Sequence, residues 1–152
     1  MQFETMRPRR VPAIVFALLG VAAFVRNFDA FQQVTVWDGI YTREQSDRGE
    51  KLYTERCARC HGDALQGIEA APALTGPAFY ANWDGETLNA LFERMRTSMP
   101  QDRPGSLTRA ENTDILAYML RAGSYPDGKL TLDSQGGALT RIKVLMYRPE
   151  PK

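Results

Sequence analysis

Cys57-Ala58-Arg59-Cys60-His61 contains both cysteines and the only histidine of a chain of 152 residues. Two thiols three positions apart on one helical turn can reach the two vinyl groups of a porphyrin and form thioethers. The adjacent imidazole then meets the iron from the same side, so the run reads as a c-type haem attachment sequence. A redox dithiol, a small-loop disulfide and half of a zinc site are the other chemistries open to a Cys-x-x-Cys pair. Against them, the pair opens no strand-helix-strand unit, there is no second cysteine pair, and the sole histidine occupies the one position that haem attachment requires.

Outward from the motif, helical signals lie on both sides. Upstream, Thr42 and Gln45 fit a capping box, and Gly49, Leu52, Tyr53 and Cys57 recur at helical spacing, which predicts a helix over residues 43–57 that delivers Cys57. Downstream, Gly62, Gly67, Pro72, Gly76 and Pro77 punctuate residues 61–84 too densely for long regular elements, so a bound cofactor is expected to organise that stretch. From Glu86 to about Arg96, Leu88, Leu91, Phe92 and Met95 form one apolar face, and Pro100 stops the helix. Thr108 and Glu111 make another capping box ahead of Ile115, Leu116, Tyr118, Met119 and Leu120, with Gly123 and Pro126 closing that helix.

With a single histidine, bis-histidine ligation within one chain is excluded, and a methionine becomes the expected sixth ligand. Met95 and Met119 fall on apolar helix faces and read as core. Met99 follows Thr97-Ser98 and precedes Pro100, in a loop free to present its sulfur, and is the expected partner of His61 on the iron.

Nineteen Lys and Arg against eighteen Asp and Glu leave a formal charge of +1, which argues against a nucleic-acid binder that relies on broad positive charge. Arg7, Arg9 and Arg10 precede an apolar run over residues 11–25, the pattern of an export leader. As a helix this run reaches about 22 Å against a hydrocarbon core of about 30 Å. Residues 1–23 are therefore expected to be a signal peptide cleaved near Val21-Ala22-Ala23, with a retained membrane anchor to about residue 25 as the alternative. Export agrees with haem attachment, which takes place outside the cytoplasm in bacteria, so a periplasmic protein is expected. Residues 24–41 read as a linker or surface strap, 42–126 as the domain and 127–152 as an extension. In that extension Arg141-Ile142-Lys143-Val144-Leu145 alternates like a short half-exposed strand.

Cys57 to His61, Met99-Pro100 and the flanking helices together resemble the class I c-type cytochromes over about residues 40–126. The resemblance implies an all-α fold, a small cytochrome c fold of three or more helices packed around one covalent haem c, with a short C-terminal strand or extension. It further implies that Gly49 and Tyr53 cross the last helix near Tyr118, and that Pro72 offers its carbonyl to the imidazole N–H of His61. Arg96-Thr97-Ser98-Met99-Pro100-Gln101-Asp102 with Pro104-Gly105, Trp83, and Tyr125-Pro126 with Gly128-Lys129 are similar to cytochrome modules associated with bacterial quinoprotein (PQQ-dependent) alcohol dehydrogenases. No dehydrogenase sequence accompanies them in this chain. The expected function is one-electron transfer between redox partner proteins, such as a quinoprotein dehydrogenase and a terminal oxidase or other acceptor, with no substrate chemistry of its own. Two rivals remain: a ligand-binding or peroxidatic haem protein in which Met99 does not ligate, and a haem subunit held in a membrane complex through residues 11–25.

Overall fold

Thr42 starts the first helix. Its hydroxyl accepts the N–H of Gln45 at 3.2 Å, and α1 runs Arg43–Arg56. The structure, a computed structural model, describes residues 33–135 and 137–150; the leader and the first part of the expected linker lie outside these. The Thr42 cap is not reciprocated as a full capping box. The Gln45 side chain is buried and bonds instead to the backbone of Leu132.

A short turn of helix, α2 (Ala58–His61), carries the motif directly after α1. Gly62 follows at φ +80°, a left-handed conformation that suits glycine, and the Tyr53 hydroxyl donates to its carbonyl at 2.6 Å. Within the punctuated stretch the chain forms an eight-residue helix, α3 (Gly76–Trp83), with Pro77 in its first turn, where a missing N–H costs nothing. The sequence reading had no helix there. α4 (Leu88–Ser98) is capped by Thr87, so it starts two residues after the expected Glu86. α5 (Arg109–Ala122) has both halves of the Thr108–Glu111 capping box and ends at Gly123.

α1 and α5 cross at close range because Gly49 has no side chain: a Cβ there would lie 1.8 Å from the Asp114 carbonyl oxygen. Beside the crossing the rings of Tyr53 and Tyr118 tilt at 48° with centroids 5.2 Å apart. Arg48 grips Asp114 with two hydrogen bonds of 2.8 and 2.9 Å, and Arg121 reaches Asp47 and Glu50. Arg48, Asp47 and Glu50 each keep more than half of their side chains in solvent, so these pairs add about 1 kcal/mol or less each, and the apolar crossing does most of the holding.

One expectation about the flanks needs correction and one is met. Residues 33–41 are no surface linker, because Val36, Ile40 and Tyr41 are buried in the core. The short strand expected in the tail is present: β2 (Ile142–Lys143) follows a 3-10 helix at Ala138–Arg141 and pairs in parallel with β1 (Val34–Thr35). Leu132, Leu139, Ile142 and Val144 of the extension are buried too, so residues 33–41 and the extension belong to the same folded unit as the helices. Among the described residues the architecture is mostly helical, with this one small sheet.

Candidate functional site

His61 closes α2 and is buried, with Nδ1 2.8 Å from the carbonyl oxygen of Pro72. A carbonyl has no proton to give, so Nδ1 carries the hydrogen and Nε2 keeps its lone pair for a metal. The loop after the motif brings Pro72 to this position. Gly67 donates to the His61 carbonyl at 2.8 Å, and Leu74 donates to Leu65 at 2.8 Å, which folds residues 62–75 back on themselves. Gly67, at φ +78°, lies so close to the returning chain that a Cβ would stand 2.6 Å from the Ala71 carbonyl oxygen.

Cys57, Cys60, His61 and Pro72 form one part of the wall of a cavity of about 1120 Å³. Leu74, Phe79 and Trp83 of the loop and α3, Leu91 of α4, and Ile115 of α5 supply its apolar surface. Met99 is the residue that ends α4, half-buried and extended, and it lines the same cavity. Met95 and Met119 line it as well. The sequence separates a loop methionine from two core methionines, but the core those two fill is itself the cavity wall. Phe79 and Trp83 were the wall residues hardest to foresee, because their i, i+4 spacing lies in the punctuated stretch; Pro77 ahead of them was the available signal.

The donor set fits a covalently held haem. Burial pushes the Cys57 thiol up to about 11, with the neighbouring Cys60 adding to the shift, the reverse of the lowered value of a reactive redox dithiol. Among the described residues no three His, Cys, Asp or Glu side chains gather into a metal site of their own. An apolar cavity larger than the usual range of about 300–1,000 Å³ for small-molecule pockets, with two thiols and an oriented imidazole at one wall, suits a porphyrin.

A helical fold closed over such a cavity, with Cys-x-x-Cys-His at its wall, defines a c-type cytochrome. A family model described as "Cytochrome C oxidase, cbb3-type, subunit III" matches residues 44–119, and the chain belongs to that family. Its cofactor is haem c, bound covalently. Over 95 residues it is 28% identical to "Cytochrome c" of Euglena viridis, covering 49% of this chain and 93% of that one. Over 78 residues it is 33% identical to "Thiosulfate dehydrogenase" of Stutzerimonas stutzeri (strain A1501), covering 47% of this chain and only 25% of that protein. Among solved structures, the sulfane dehydrogenase SoxCD of Paracoccus pantotrophus aligns at a TM-score of 0.45 and 21% identity, over 60% of this chain and 54% of that one.

Proposed function

We propose that this haem electron-transfer protein is a carrier whose haem c is held between His61 and Met99 and which passes single electrons between a dehydrogenase and an electron acceptor. The observation that carries the reading is that the His61 imidazole, oriented by Pro72, and Met99, at the end of α4, line one apolar cavity. Bound haem c supplies a one-electron couple. His61 and Met99 would both ligate the iron and leave no site for a reactant, and the Pro72 carbonyl, which holds the Nδ1 proton, would make the imidazole a stronger ligand. Leu74, Phe79, Leu91 and Ile115 keep water from the group.

The partial match to a thiosulfate dehydrogenase supports a dehydrogenase as donor. The motifs around Met99 and Tyr125 favour a quinoprotein dehydrogenase, with a terminal oxidase as acceptor. The reading puts the protein in the periplasm, with residues 11–25 as part of a cleaved leader or as a tether. The same match also favours a second reading, in which the domain is a fixed haem subunit of a larger complex; fractionation and intact mass separate the two, since the free carrier is soluble and lacks residues 1–23.

Ligation is tested on the purified protein. Ferric protein should show the near-infrared charge-transfer band of sulfur on iron, and ferrous protein should resist carbon monoxide. Met99→Ala should abolish the band and admit carbon monoxide, while Met95→Leu should keep both properties. Ready carbon monoxide binding by the wild type, or loss of the band in Met95→Leu alone, overturns the assignment.

A further inference from the structure

α4 is held from two sides. Leu91, Met95 and Met99 line the cavity, whereas Leu88 and Phe92 are fully buried without lining it. The 3-10 helix and β2 of the C-terminal extension pack against α4. The turn that starts α4 is stitched to the same segment. Gly85 N–H donates to the Val144 carbonyl at 2.8 Å, Val144 N–H donates to the Glu86 carbonyl at 2.9 Å, and Met146 N–H donates to Asp84 Oδ1 at 2.7 Å. Thr87, the cap of α4, bridges to Lys143.

The other edge of this segment is fixed by residues before α1. Val36 N–H donates to the Lys143 carbonyl at 2.9 Å, and Trp37 Nε1 donates to the Leu145 carbonyl at 2.9 Å. A second tether lies nearer the middle of α4. Arg109 of α5 donates to the Ser134 carbonyl and hydroxyl at 3.1 and 3.2 Å and to Glu93 of α4 at 3.5 Å, and its guanidinium lies over the Phe92 ring, 4.8 Å from the centroid. Beyond Ser98, by contrast, residues 101–106 are exposed, with Pro104 and Gly105 among them.

We propose that residues 132–146, braced by β1 and Trp37, are a positioning element for α4 and set how readily the Met99 sulfur leaves the haem. This rests on the reading that Met99 ligates. The brace touches neither haem nor ligand; it fixes the start and outer face of a rigid helix whose last residue is followed by Met99. Met99 N–H donates to the Met95 carbonyl at 2.9 Å, so the Met99 backbone is carried by the last turn of α4, and the exposed loop after it adds little restraint of its own. β1, Trp37 and residues 132–146 all lie outside residues 44–119, so the family match does not include them.

The test uses full-length, haem-loaded protein carrying Asp84→Ala with Trp37→Phe, which removes the side-chain bonds to Met146 and Leu145 and leaves the contacts between α4 and α5 in place. Arg48→Ala, which breaks only the α1–α5 ion pair, is the control. The readouts are the rate at which imidazole displaces sulfur from ferric haem and the hydrogen exchange of α4 amides. The double variant should bind imidazole about five- to thirtyfold faster, the change that losing one or two net hydrogen bonds makes in an opening equilibrium, and should lose protection in α4 before α1 and α5. Arg48→Ala should lower thermal stability without changing either readout. A wild-type imidazole rate in the double variant, or an equal acceleration in Arg48→Ala, overturns the proposal. Should the double variant not accumulate haem, Trp37→Phe and Asp84→Ala singly carry the same expectation. If the wild type lacks the sulfur band, the ligation reading fails and the exchange arm alone decides the brace: unchanged α4 protection sinks it.

Discussion

The side-chain amide of Gln45 pairs with both backbone polar groups of Leu132, its Nε2 donating to the carbonyl at 2.9 Å and its Oε1 accepting the N–H at 2.8 Å. Both residues are buried, so the pair ties the first turn of α1 to the extension where water cannot substitute. Gln45→Leu keeps much of the volume but strands a buried donor and acceptor. It should destabilise the protein by about 2–4 kcal/mol, measured by denaturant melts. A loss below about 0.5 kcal/mol would mean that the Leu132 backbone finds other partners.

Gly49→Ala tests the helix crossing. The new Cβ would stand 1.8 Å from the Asp114 carbonyl oxygen, which is backbone and cannot rotate away, so α1 and α5 must part. The expected cost is about 3 kcal/mol or more, at the upper end for overpacking, with the haem still attached. A melt within about 1 kcal/mol of wild type would place the helices further apart than the structure has them.

Removing the attachment sites should unfold the chain. Without the group that fills it, the apolar residues that wall a cavity of about 1120 Å³, Leu74, Phe79 and Leu91 among them, lose their packing partner, and the stability of about 5–15 kcal/mol of an ordinary domain leaves little margin for that loss. Cys57→Ala with Cys60→Ala, expressed without haem, should lack a cooperative melt by circular dichroism. Native-like helicity with a sharp transition would show that the walls collapse onto each other and that the helices fold unaided.

Acid should weaken the start of α5. The N–H and hydroxyl of Thr108 bond to the Glu111 carboxylate and hold its pKa below the ordinary value. The folded value being the lower one, this contribution is fully present above the unfolded pKa of about 4.3 and is lost as pH falls through the folded value. Glu111→Gln imitates the protonated group. The wild type should exceed it by about 0.5–1 kcal/mol at pH 7, and the difference should vanish near pH 3. A difference independent of pH would show that charge has no part in the cap.

Three helices were legible because their signals are local. Thr108, three residues before Glu111, and the spacing of Leu88, Leu91, Phe92 and Met95 along one face need no knowledge of the rest of the chain. Gln45 shows where such reading stops: Thr42 does cap α1, but the expected reciprocal bond goes to Leu132, 87 residues away. Residues 33–41 looked like a linker because buried Val36, Ile40 and Tyr41 follow no helical or strand period, and Trp37 finds its acceptor on Leu145, 108 residues downstream. α3 is not legible because its eight residues, between Thr75 and Asp84, hold barely two turns of pattern.

What the sequence determined by itself is the chemistry of attachment. Thioether formation at two vinyl groups and ligation from the same side require two cysteines and a histidine within one turn, and such a requirement is written in consecutive residues. Tertiary structure decided which methionines share the cavity of His61, where the side chain of Gln45 finds its partners and what stands behind α4. Each of these is settled where segments distant in sequence compete for the same buried space, and spacing along a chain carries no record of that competition.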